Sequence, residues 1–148
     1  MTYRVRSAQQ RRAEIQARAT AMGIDDAFIS DLVETFYGRI RAHERLGPIF
    51  AKAIDDWNEH LPKMKDFWSS VALNSGRYSG KPVPAHQKLT GVAKEDFSLW
   101  LGVFETTVRD LAPTPDVVPY FMERAERIAE SLKLAMFTLP GLKKSRET

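Results

Sequence analysis

Between Phe28 and Ile40 the apolar residues Phe28, Ile29, Leu32, Val33, Phe36, Tyr37 and Ile40 recur every three to four positions. That is the period of one broad face of an α-helix. The period returns in Trp57, Leu61, Met64, Trp68 and Val71, with His60, Met64, Phe67 and Val71 as an overlapping stripe. It returns again in Phe97, Trp100, Leu101, Phe104 and Val108, and in Val118, Phe121, Met122, Ala125, Ile128, Ala129, Leu132 and Ala135. No stretch alternates apolar and polar residues as a half-buried strand would. Stripes of this kind bury only against other helices, so the chain is expected to be all-α, with its aromatics facing one centre.

The helix ends are readable in part. A polar helix over 7–22 stops at Gly23, a residue that readily takes the left-handed cap conformation. Asp25 or Asp26 caps the second helix, and Asp55 or Asp56 starts the third. Gly47-Pro48 reads as a break, with Phe50 in a turn-like segment, and Pro62 as tolerated near the start of the third helix, with some irregularity. Later helices are expected over roughly 94–111 and 114–138, the last closed by Pro140 and Gly141. Between the third and fourth helices, Asn74-Ser75-Gly76, Gly80, Pro82 and Pro84 exclude a regular helix over about 15 residues. Long irregular stretches inside a small domain are usually functional.

Composition removes several function classes. The 148 residues suit one domain able to bury about two-thirds of its extended-chain surface. Absence of cysteine excludes disulfides, thiolate metal sites and thiol nucleophiles. No apolar run reaches the roughly 20 residues a membrane span needs, and no secretory signal follows the early arginines, so a cytoplasmic location is expected. The net charge of +3 comes from 22 basic and 19 acidic residues, with the excess at the ends: Arg4 to Arg18, then Lys143, Lys144 and Arg146. A near-neutral centre offers no track for phosphates, so neither nucleic acid nor membrane is an expected partner.

Three histidines remain as chemistry. His43, near the end of the second helix, reads as a cation favoured by the helix dipole. His60 lies on an apolar stripe, and His86 follows the stiff lead-in Pro82-Val83-Pro84-Ala85. The two could face each other across a cavity lined by Phe36, Tyr37, Phe50, Met64, Phe67 and Trp100. Each alone could equally be a core or loop histidine. No carboxylate cluster accompanies them, whereas zinc or di-iron sites require three or more ligands at one centre. Iron already held by four porphyrin nitrogens asks the protein only for axial ligands.

The series Phe36-Tyr37, Leu46-Gly47-Pro48-Ile49-Phe50, His60, Phe67-Trp68, Gly76-Arg77-Tyr78-x-Gly80, His86, Trp100-Leu101-x-x-Phe104 and Arg124-Ala125-x-x-Ile128-Ala129 occurs in that order. It resembles the truncated globins, specifically their third group, over about 110 residues from near Phe28 to near Leu134. The spacings of 14 from His86 to Trp100 and 7 from His60 to Phe67 make the likeness specific. The glycine-glycine turns of other groups are missing, as the third group leads one to expect.

The resemblance implies a globin-like, truncated two-over-two helical sandwich over 25–140, with an extra N-terminal helix over 1–24 and a polar tail over 141–148. It implies haem b as cofactor, with His86 as the proximal ligand to iron. Tyr37 and Trp100 match distal hydrogen-bond donors, and His60 the distal histidine, as a gate or as a sixth ligand. Crowding by the phenol and indole favours five-coordinate ferrous haem. Phe50 and Met64 match residues against the haem and Phe67 its pocket wall, while Lys63, Arg77 and Tyr78 match partners for the propionates. Implied ligands are dioxygen, nitric oxide or other diatomics. Two donors imply tight binding, hence nitric oxide dioxygenase-like or peroxidase-like turnover with a separate reductase rather than transport. A gas sensor or haem store without turnover is the alternative.

Overall fold

The computed structural model describes residues 7–80, 86, 89 and 91–137. Arg4 and Arg6, the lead-in from Pro82 to Ala85, Pro140-Gly141 and the basic tail with Lys143, Lys144 and Arg146 lie outside those residues. Six helices are present among them: α1 (Ala8–Ala21), α2 (Asp26–Ala42), α3 (Leu46–Ala53), α4 (Trp57–Leu73), α5 (Glu95–Leu111) and α6 (Val117–Phe137).

Local chemistry sets most boundaries. Ser7 and Gln10 form a reciprocal capping box on α1, in which each side chain accepts from the other's backbone N–H. Asp25 caps α2 by accepting from the Phe28 N–H at 2.8 Å, and Asp56 caps α4 by accepting from the Asn58 N–H at 3.0 Å. Asn74, at φ 52°, ends α4 in the left-handed conformation that asparagine tolerates better than most residues. From there to Gly80 the backbone is irregular, as the glycine and proline content led us to expect.

One expectation about proline fails and one holds. Gly47-Pro48 does not break the chain but lies inside the first turn of α3, so Phe50 is helical. A proline there removes only an N–H that has no intrahelical partner in any case. Gly47 is needed for a different reason: a Cβ would sit 2.7 Å from the Arg41 carbonyl oxygen. Pro62, by contrast, is tolerated inside α4, as its place near the start of the helix leads one to expect. The carbonyl deprived of its donor belongs to Asn58, which is exposed and can turn to water.

All seven apolar residues of the α2 stripe are buried. This helix is the hub, packing on α3, α4 and α5, while α5 packs on α6 and α1 on α4. The result is a sandwich of two helix pairs, α2 with α4 and α5 with α6, joined by the α2–α5 contact. Phe104 is the aromatic centre, stacked on Trp68 at 4.8 Å and on Trp100 at 5.6 Å, with Phe36 edge-on at 5.2 Å. At about 1.5–3 kcal/mol for each large apolar side chain, this cluster supplies much of the force for collapse. No helix among the described residues is long and apolar enough to cross a membrane.

Candidate functional site

The stripes of α4 and α5 are less buried than that of α2. Trp57, Leu61, Met64, Phe67 and Trp100 are each partly accessible. The reason for most of them is a cavity of about 650 Å³ enclosed by α2, α3, α4, α5, α6 and the irregular segment after α4. Such volumes fall in the range of cofactor sites, about 300–1,000 Å³. Tyr37, Phe50, His60, Lys63, Met64, Phe67, Arg77, Tyr78, His86 and Trp100 all line it. Thus these ten residues, drawn from four helices and the intervening segment, meet at one place.

His60 stands among aromatic neighbours. Its ring is edge-on to Tyr37 at 5.6 Å and to Trp57 at 5.6 Å. Burial holds its pKa below the usual histidine value, helped by electrostatic repulsion from neighbouring basic groups, Lys63 first. His60 and His86 both line the cavity. His86 itself is partly buried and its carbonyl accepts from the Leu89 N–H at 3.0 Å.

Tyr37 is 5% exposed, and burial pushes its phenol pKa far up, so the hydroxyl keeps its proton. Neither that hydroxyl nor the Trp100 indole N–H forms a hydrogen bond among the described residues. Both are donors on a cavity wall with their protons unspent.

Lys63 and Arg77 are exposed at the cavity rim. Lys63 makes no ion pair among the described residues. Arg77 is already engaged by Asp26, donating to its two carboxylate oxygens at 3.1 and 3.0 Å. Tyr78 is pinned by its backbone N–H, which donates to Ser70 Oγ at 2.9 Å, and by an edge-on contact with Phe67 at 5.1 Å.

Two sequence expectations need correction. Phe36 does not line the cavity; it lies one layer behind, 1% exposed, edge-on to Tyr37 at 4.9 Å and to Trp100 at 5.5 Å. His43 does follow the last turn of α2, but its side chain is turned to another use. Its Nδ1 accepts hydrogen bonds from the Arg45 and Leu46 N–H groups, both at 3.1 Å, and so caps the start of α3. The sequence reading also missed part of the wall: Ile128, Leu132 and Met136, one turn apart on α6, and Asp96 at the start of α5. Periodicity marks a stripe as inward but cannot tell a core from a cavity lining.

No protein-family model matches the chain. It is 31% identical over 122 residues to the group 3 truncated hemoglobin ctb of Campylobacter jejuni, a match spanning 80% of this chain and 95% of that protein. The chain belongs to the group 3 truncated haemoglobins. The crystal structure of a group III truncated hemoglobin from the same organism superimposes with a TM-score of 0.73 at 32% identity, covering 78% of this chain and 93% of that one. The all-helical, globin-like architecture expected from the sequence is therefore the observed one. Membership in this family implies a haem cofactor and a diatomic gas ligand.

This globin's own residues fit such a group. The cavity wall is mainly apolar and aromatic, a cation stands at its rim, and imidazoles are the available nitrogen ligands. Among the described residues no three His, Cys, Asp or Glu side chains gather at one point, so the donor set matches a pre-coordinated metal rather than a bare ion.

Proposed function

We propose that this globin binds haem b in the cavity with His86 as the axial protein ligand, and holds dioxygen tightly for redox chemistry rather than carriage. Bound haem supplies an iron with one axial position open to a diatomic gas. The protein does the remaining work. His86 donates a neutral imidazole nitrogen, Phe50, Met64 and Phe67 exclude water, and Lys63 offers its ammonium to a propionate, with Tyr78 beside the rim. Arg77 can join it only by leaving Asp26.

The observation that carries this reading is the pair of unspent donors, Tyr37 hydroxyl and Trp100 indole N–H, on the wall shared with His60 and His86. A ligand that gathers negative charge is favoured by such donors, more so in a dry pocket. At about 0.5–1.5 kcal/mol each, two of them slow gas release roughly ten- to hundredfold. Slow release disfavours transport and favours conversion of nitric oxide with dioxygen and one electron to nitrate, or peroxide reduction. The electron then comes from a separate reductase. Crowding of the site by the Tyr37 phenol and the Trp100 indole favours His60 as a gate rather than a sixth ligand. Residues 25–140 form the globin unit and 1–24 an extension, in keeping with an α1 that buries only Ala19.

The test is the visible spectrum of the purified, haem-supplied protein beside His86→Ala. An intense band in the near-ultraviolet to blue, shifted or lost in the variant, is the expected result; identical spectra would remove His86 from the iron. Rapid stoichiometric loss of the oxy spectrum on mixing with nitric oxide supports turnover. Slow loss would leave the gas sensor or haem store as the role.

A further inference from the structure

Arg45 sits between α2 and α3, outside the cavity wall and outside every role discussed above. Its backbone N–H donates to His43 Nδ1, in the cap that starts the helix carrying Phe50. Its side chain reaches in the other direction along the chain, across 51 positions. The Arg45 Nε donates to Asp96 Oδ1 and one terminal nitrogen to Asp96 Oδ2, both at 2.8 Å; that same nitrogen donates to the Gly91 carbonyl at 3.0 Å. Asp96 Oδ2 also accepts from the Ala93 N–H at 2.8 Å.

The Asp96 side chain is 7% exposed, and the fork of hydrogen bonds is of the strong, charge-assisted, two-point kind. An exposed ion pair is worth little. This pair is different because three of its bonds end on one buried carboxylate or on backbone groups. Gly91 has φ 77°, a conformation that fixes where its carbonyl points and that other residues resist. Gly91 and Ala93 lie five and seven positions after His86, in the segment that joins it to α5.

We propose that Arg45 is a positioning residue for the proximal ligand: it fastens the segment following His86 to the corner that carries Phe50, and so sets the tilt and freedom of the His86 imidazole. The proposal rests on the reading of His86 as the iron's axial ligand. Direct hydrogen-bond partners of a metal ligand, when lost, weaken metal binding or activity about 10–100-fold. Arg45 acts not on His86 itself but through the backbone after it, so the lower end of that range is expected. Lysine cannot replace this side chain, because a single ammonium cannot span both carboxylate oxygens and the Gly91 carbonyl.

The experiment uses the haem-loaded full chain, with Arg45→Ala, Arg45→Lys, Asp96→Asn and, as a surface control, Arg109→Ala, which breaks an exposed pair with Glu105. Three quantities are read: the iron–imidazole stretching band of the deoxy ferrous form, the rate of haem transfer to an apoglobin acceptor, and amide exchange of residues 89–97 in the haem-free chain. The expected result is a shifted or broadened band, roughly tenfold faster haem loss and faster exchange in the Arg45 and Asp96 variants, with Arg109→Ala unchanged. Should Arg45→Ala not fold, Arg45→Lys carries the comparison. Lowered melting temperature with an unmoved band and unmoved haem-loss rate would overturn the proposal, making Arg45 a plain structural brace. A wild-type chain that gives no iron–imidazole band at all would overturn the axial-ligand reading first, and this inference with it.

Discussion

Tyr37 and Trp100 are read differently once their protons are followed. Each looks like an ordinary aromatic of the interior, Tyr37 buried and Trp100 partly so, packed edge-on around Phe36. Their polar atoms set them apart: both residues line the cavity, and neither donor forms a hydrogen bond among the described residues. Tyr37→Phe removes one oxygen and no packing area; Trp100→Phe removes the indole N–H while a ring remains to stack on Phe104. We expect either change to speed dioxygen release about tenfold, measured by stopped-flow displacement with carbon monoxide, and the double variant roughly a hundredfold. Unchanged release in both would mean that neither donor meets the ligand. The site's single residues were legible in sequence because spacings such as His60 to Phe67 are fixed by the helix on which both stand. The partnership of Arg45 with Asp96 was not, since nothing local announces a contact across 51 positions.

At the scale of the element, the misread Gly47-Pro48 and the tolerated Pro62 share a cause. Both are breakers by composition, yet proline harms a helix only where a needed N–H or a buried carbonyl is lost. Near an N-terminus, or against exposed Asn58, neither loss occurs. The α2 stripe was legible in full because one face of that helix is wholly core. The union of α3 with α5 rests on a carboxylate whose pKa is held low, first by the hydrogen bonds from Arg45 and then by the Ala93 N–H and the Arg45 charge, against the upward pull of burial. A group depressed on folding stabilises above its unfolded value, about 3.9 for aspartate, and that contribution fades as pH falls through the lower folded value. Asp96→Asn should therefore be less stable than the parent at pH 6–7, and the gap should close below about pH 4. Urea midpoints across that range check it; a gap that stays constant with pH would mean that Asp96 acts through shape rather than charge.

At the scale of the molecule, the sandwich is built around a space. Helices that would pack to closure hold apart, and α4, α5 and α6 each give part of an apolar stripe to the cavity wall. That explains why helix periodicity yielded the fold class directly, while the residues of α6 that face the cavity were read as core. It also has a use at the bench. The chain's three tryptophans all stand around this space: Trp68 and Trp100 on its wall, and Trp57 just behind, 5.7 Å from the ring of Tyr37. A pigment seated there would absorb nearly all of their ultraviolet emission by energy transfer, so titrating haem into the empty chain should darken its fluorescence in step with filling. The molecule thus carries a built-in gauge of its own occupancy, readable without a label.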